Sequence, residues 1–201
     1  MNPKIYNLFP SPVFEYNINR EITSAENKFI HSLDYNKNVY NLISVDNFIL
    51  NQEPLNDIKN FINTSLNDCF NYIFQPKNDM SIYITESWVN VTKKEESHHY
   101  HNHPNSFLSG VMYIDSDNDR DTIQFHKNIQ QFPLYPETSE YNIYNSASWW
   151  LPAKTGTLYL FPSSLHHSVE KPHGDNLRIS ISFNTFIKGT INQYKQQQIS
   201  L

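Results

Sequence analysis

A chain of 201 residues has the length of one domain with a full core. Its 15 Lys+Arg against 20 Asp+Glu give a net charge of −5, which leaves no basic excess to neutralise phosphates, so nucleic acid is not an expected partner. One cysteine, Cys69, excludes an internal disulfide or a thiolate cluster, and no apolar run has the length of a membrane span.

Hydrophobic residues make up only 38% of the chain, but 13 Phe, 13 Tyr and 3 Trp are among them, so much of the core volume must be aromatic, which favours β-structure. The first residues show no basic segment followed by an apolar one, so a reducing cytoplasm is the expected location. Oligomeric state leaves no signature in the chain.

Residues 5–18 alternate roughly, with interruptions at Pro10 and Pro12, and read as an extended edge segment. Residues 24–33 offer an N-cap followed by Phe29, Ile30 and Leu33, a short helix; 43–50 read as a short strand or a covered loop. Pro54 opens the clearest helix, in which Leu55, Ile58, Ile62, Leu66, Cys69, Phe70 and Ile73 recur at three- and four-residue steps before Gln75-Pro76. Such a stripe packs on a sheet and makes Cys69 a buried structural thiol rather than a nucleophile.

From Met80 onward the pattern is β. In residues 81–91 Ile82, Ile84, Glu86, Trp88 and Asn90 fall on one face, and Tyr83, Thr85, Ser87, Val89 and Val91 on the other. Further strands are expected over 107–114, 122–126, 143–151, 157–161, 164–169 and 177–187. Residues 115–120 form an acidic turn without the glycine and glutamate of a calcium loop. Residues 132–142 are a Pro-rich loop suited to a lid or substrate wall, and 193–201 a polar tail expected to fray. A helical and edge segment (1–79), a strand-rich core (80–190) and a tail (191–201) predict one mainly β domain, a double-sheet jelly roll with N-terminal helices packed on one sheet.

The densest chemistry is Ser97-His98-His99-Tyr100-His101-Asn102-His103-Pro104, which holds four of the nine histidines. Imidazole is the commonest protein ligand for transition metals, and on an extended strand His99, His101 and His103 share one side. A further ligand must come from elsewhere, and His166 and His167 are the other adjacent pair. Alternation alone leaves open His99 against His101, His166 against His167, and a merely solvated histidine tract. The strands that follow each cluster favour a site on a rigid scaffold.

The order His101-x-His103-Pro-Asn-Ser-x-x-Ser-Gly-Val, then Gly156-x-Leu-x-Leu-Phe-Pro-Ser-x-Leu-x-His167-x-Val, then Arg178-Ile-Ser-Ile-Ser-Phe-Asn184 resembles the 2-oxoglutarate–Fe(II) oxygenases in their bacterial and phage branch. The opening Leu8-Phe9-Pro-Ser-Pro-Val13 is similar to how that branch begins. The resemblance implies a double-stranded β-helix, a mononuclear Fe(II), 2-oxoglutarate as co-substrate and dioxygen. It also implies oxidative decarboxylation to succinate coupled to hydroxylation of a small molecule or a peptide side chain. Carried over by position, His101, His103 and His167 are the metal ligands, Arg178 receives the distal carboxylate, Ser180 is its hydroxyl helper, and Asn90, Tyr113 and Tyr159 are further donors inside the barrel. A guanidinium suits that role because it binds a carboxylate through two parallel bonds.

One position departs from the pattern. The wider superfamily has a carboxylate two residues after the first histidine, where this chain has His103. Either three imidazoles hold the iron, or His103 turns away and Glu86 or water completes the shell. His98, His126 and His173 are expected at the surface or in loops. The alternative from another class is a cupin-like metal or small-molecule binder without 2-oxoglutarate chemistry.

Overall fold

Thr23 starts the first helix. In the computed structural model, which describes residues 3–77, 79–128, 133–134, 136–172, 176–192 and 198–201, the Glu26 N–H donates to the Thr23 hydroxyl at 3.2 Å and the Thr23 N–H donates to the Glu26 carboxylate at 2.7 Å. This reciprocal pair closes a capping box on α1 (Ser24–His31). The second helix, α2 (Asn56–Phe74), follows a 3-10 turn over Glu53–Leu55 that contains Pro54, and it ends where Gln75 turns left-handed at φ 41°. Ile58, Ile62, Leu66, Cys69 and Phe70 are buried along it, as their spacing predicts. Burial pushes the Cys69 thiol up to about 12, so it stays protonated and inert.

The helices cover one face of a large antiparallel sheet. Its strands are β1 (Phe14–Asn17), β2 (Tyr35–Lys37), β3 (Leu42–Ser44), β4 (Met80–Thr92), β6 (Leu108–Asp115), β9 (Thr157–Pro162), β11 (Arg178–Ile191) and β12 (Ile199–Ser200). The order is β1-β9-β6-β11-β4-β3-β2, with β12 beside β11. A second sheet consists of β5 (His98–His101), β7 (Thr122–His126), β8 (Ser148–Pro152) and β10 (His167–Val169) in the order β5-β10-β7-β8. Two apolar layers result. One joins α2 to the large sheet through Ile62, Leu66, Val89, Met112, Leu160 and Ile181; the other lies between the sheets and includes Val111, Tyr113, Ile123, Phe125, Tyr159 and Phe161. This is the jelly roll with helices on one sheet that the pattern predicts.

Three expected strands are shortened or bent for local reasons. Residues 143–147 are not strand because the Asn142 side chain accepts from the Tyr144 N–H at 2.9 Å and the Asn145 N–H at 3.3 Å, an Asx turn that delays β8 to Ser148. The Leu165 N–H closes a turn on the Pro162 carbonyl, so residues 164–166 are not strand and β10 starts only at His167. Along β4 the single alternation fails: Asn184 pairs with Glu86 but Thr185 with Ile84, which makes Thr85 the extra residue of a bulge. Ile82 and Ile84 therefore join Val89 and Val91 on the helix side. β2 and β12 were not expected from the pattern, and in β12 the end of the tail pairs with Thr190 and Ile191 instead of fraying. His173, Phe132 and Tyr135 lie outside the described residues.

Candidate active site

The site begins with an irregularity in β5. Its partner β10 sets His167 opposite His101 and Val169 opposite His98, so the single Ser168 faces two residues, His99 and Tyr100. That bulge reverses the alternation of β5 and brings His98 to the same side as His101, ring on ring at 4.4 Å and 13°. The expected common face of His99, His101 and His103 is thereby broken. His99 is exposed, whereas His98, read as a surface residue, lines the cavity between the sheets. β5 is an edge strand, where a bulge disturbs a ladder on one side only.

Around that cavity His101, His103 and His167 each offer one ring nitrogen, and the three atoms lie within 4.8 Å of one another. His103 Nε2 is 3.4 Å from His167 Nε2. The Nδ1 of His101 lies 2.7 Å from the His99 carbonyl and that of His167 lies 3.1 Å from the Leu165 carbonyl. A carbonyl only accepts, so both rings carry Nδ1–H and present an Nε2 lone pair, the tautomer a metal ligand requires. Burial is the main reason the imidazoles stay neutral: it draws His103 down to about 4 and His167 to about 2, with like charge from His101 adding to both, and it lowers His101 as well. Three neutral imidazoles meeting from two chain segments fit a divalent first-row ion such as Fe(II).

The rival ligands are committed elsewhere. The His166 Nδ1 pairs with Asn128 at 3.1 Å and its ring stacks on Tyr100 at 4.6 Å. The Asn184 amide donates to the Glu86 carboxylate at 2.7 Å, and among the described residues no carboxylate joins the three nitrogens. His126 is half-buried, with Nε2 2.8 Å from the Ser168 hydroxyl, and packs edge-on against Tyr100.

The other end of the cavity is cationic. Arg178, 3% exposed, donates from one arm to Asp121 at 3.3 Å and from the other to the Glu170 carbonyl at 2.8 Å. Burial pulls its guanidinium below the ordinary value, and Tyr113 and Asp121 oppose that. Among the described residues the two arms engage one N–H each, and three of the five guanidinium N–H groups have no acceptor there. Tyr113 and Ser180 line the same space, and the buried Tyr113 hydroxyl has no partner among the described residues, an orphan that a bound ligand would satisfy. Asn90 lines it too, but its amide already receives a bond from Asn41 at 3.2 Å and gives one to Ser182 at 3.0 Å. Tyr159 does not reach the cavity: its hydroxyl donates to the Pro152 carbonyl at 2.8 Å and approaches Glu15, so it is a core residue between the sheets. Sequence reading missed Asp121, Thr92 and the inward turn of His98. Asp121 could have been suspected as the last carboxylate before an apolar strand; the bulge that turns His98 has no signal in the chain.

Residues 86–184 match the family described as "Putative 2OG-Fe(II) oxygenase". They form a 2OG-Fe(II) oxygenase domain. This oxygenase domain runs from β4 into β11 and contains all three clustered imidazoles and Arg178. No curated protein matches the chain. Solved structures with the same fold include a 2OG-Fe(II) oxygenase family oxidoreductase from Burkholderia pseudomallei, with a TM-score of 0.59 at 13% identity over 86% of this chain and 83% of that one. HygX from Streptomyces hygroscopicus, solved with nickel and 2-oxoglutarate, scores 0.56 at 10% identity over 87% and 82%. A prolyl-4-hydroxylase from Pseudomonas putida scores 0.53 at 12% identity over 87% and 92%. No helix among the described residues is long and apolar enough to cross a membrane.

Proposed function

We propose that the oxygenase domain holds ferrous iron on His101, His103 and His167 and receives the far carboxylate of 2-oxoglutarate at Arg178, with Ser180 and Tyr113 as hydroxyl donors. The observation that carries this is a single cavity with three metal-type nitrogens at one end and a half-satisfied, buried guanidinium at the other. Iron bound there supplies the coupled oxidation in which dioxygen and 2-oxoglutarate give succinate and carbon dioxide while a C–H bond of the substrate becomes C–OH.

The chain's own work is binding and exclusion. Leu165 and His99 carbonyls fix the two Nδ1–H tautomers, so the lone pairs are aimed before any ion arrives. Asp121 and the Glu170 carbonyl hold the Arg178 arms in place for a planar acceptor. Val111, Ile123, Phe161 and Val169 line the space between, which keeps water out and strengthens the charge contacts inside. Trp88 also lines the cavity, with its ring 6.1 Å from that of His103, and offers an apolar wall beside the metal cluster.

The substrate is inferred to be an organic molecule or a peptide side chain with an unactivated C–H bond. Neighbours of the same fold include HygX solved with hygromycin B bound and a prolyl hydroxylase, one a small molecule and one an amino-acid residue. A bacterial or phage-infected cytoplasm is the setting that agrees with one buried thiol.

Anaerobic addition of 2-oxoglutarate to the Fe(II)-loaded protein is expected to give a visible metal-to-ligand charge-transfer band, and Arg178→Ala is expected to remove it while the protein stays folded. A folded, iron-loaded wild type without the band would favour the cupin-like binder instead. Succinate release screened across amino acids, peptides and small metabolites would then name the substrate.

A further inference from the structure

We propose that His98 is a co-substrate-contacting residue, whose ring N–H donates to the dicarboxylic acid between the imidazole cluster and Arg178 and thereby sets which chain length is accepted. This rests on the function proposed above and extends it to a residue outside the three imidazoles and the guanidinium.

The register of the small sheet gives the argument. His101 and Phe125 both stand opposite His167 on β10; two residues along β10 comes Val169, opposite His98, and next Glu170, whose carbonyl holds Arg178. On β7 the same walk from Phe125 passes Ile123 and arrives near Asp121, the other partner of Arg178. The small-sheet wall between the metal end and the cationic end therefore consists of Val169, Ile123 and His98, all three lining the cavity. Two of these are apolar. Among the described residues His98 is the one hydrogen-bonding side chain on that wall, and Thr92, Ser180 and Ser182 line the same cavity from the large sheet.

Its ring is held but not spent. Stacking on His101 at 4.4 Å fixes its plane, and among the described residues neither ring nitrogen has a hydrogen-bond partner. A ligand that spans from the clustered nitrogens to Arg178 must pass this ring. A dicarboxylic 2-oxo acid offers carboxylate oxygens to it, and a hydrogen bond between a neutral donor and a charged acceptor is among the stronger kinds. Because the ring is fixed, acids one methylene shorter or longer would carry their carboxylates to a different distance from it.

The test uses the full-length protein loaded with Ni(II), which does not turn over, and isothermal titration with 2-oxoglutarate, oxaloacetate and 2-oxoadipate. His98→Phe keeps a stacked ring without the N–H; His98→Gln keeps a donor without the ring. We expect Ni(II) affinity to be unchanged in both, 2-oxoglutarate binding to weaken about tenfold in the Phe variant and to be mostly restored in the Gln variant, and the preference among the three acids to narrow in the Phe variant. Loss of Ni(II) affinity in the Phe variant would make His98 a metal ligand and overturn the proposal. Unchanged 2-oxoglutarate binding, or equal weakening in both variants, would reduce the ring to a packing wall. If the nickel-loaded wild type takes up no 2-oxoglutarate at all, the parent reading itself fails, a result distinct from a wild type that binds and a variant that binds equally well.

Discussion

On the proposed function His103 is the residue on which metal binding turns, since the family resemblance implies a carboxylate at its position. Its neutral ring meets His167 at 3.4 Å, so the site presents three uncharged donors. Replacing His103 by Ala should cost more than tenfold in divalent-metal affinity, whereas His103→Asp, which restores an anionic oxygen donor, should retain most of it; equilibrium dialysis with Ni(II) or Co(II) reads both. The pH response follows from the buried rings. Burial holds His103 at about 4, His98 at about 3 and His167 at about 2, all below the value near 6.5 of an unfolded histidine. For a pKa lowered by folding, the contribution to stability is complete above about pH 6.5 and is lost as pH falls toward the folded value, about 4 for His103, about 3 for His98 and about 2 for His167. Thermal melts of the metal-free protein should therefore be flat in this respect from pH 8 to about 6.5 and descend below it; a His103→Phe variant should descend less. At this scale the sequence was a good guide to identity and a poor one to direction. His101, His103, His167 and Arg178 carried recognisable spacing, but His98, expected at the surface, lines the cavity, and Tyr159, expected in the cavity, is a core residue between the sheets. Side-chain orientation depends on a bulge in one case and on a hydroxyl's partner in the other, and neither is written in residue types.

At the scale of elements, β6 shows how tightly the helix-side layer is closed. A Cβ on Gly110 would overlap the Phe183 ring and the Leu160 side chain, so the strand tolerates no larger residue there without displacing β11 or β9. Gly110→Ala is expected to lower stability by about 1–3 kcal/mol, as overpacking does, measured by urea unfolding. On the opposite side of the same layer Ile62 is fully buried on α2, and Ile62→Ala should cost about 2–5 kcal/mol with little change in metal affinity. The helix was legible because its apolar residues recur every three or four positions, and the long strands because they alternate. What resisted reading were the interruptions. Thr85 inserts one residue into β4 and reverses which side Ile82 and Ile84 face; Asn142 captures two backbone N–H groups and withholds residues 143–147 from β8. The second is a side-chain hydrogen-bonding choice that competes with an otherwise adequate strand pattern; the first is a one-residue shift of the ladder.

For the molecule as a whole, the expected jelly roll is present because two apolar layers needed covering, one between the sheets and one beneath the helices. The two functional ends of the cavity have different owners in this arrangement. The three imidazoles come from β5, the turn after it and β10, on the small sheet, whereas Arg178, Ser180 and Tyr113 come from β11 and β6, in the large sheet that α2 backs. On the proposed reading, the metal nitrogens and the acid anchor thus belong to different slabs, tied together where Arg178 reaches Asp121 and the Glu170 carbonyl on the opposite one. Anything that lets the slabs slide, whether warmth, mild denaturant or a worn helical backing, should spoil the grip on a dicarboxylic guest while the ion stays seated in its own half. Ile62→Ala at a few degrees below its melting point is the place to look: nickel should remain bound when 2-oxoglutarate no longer is.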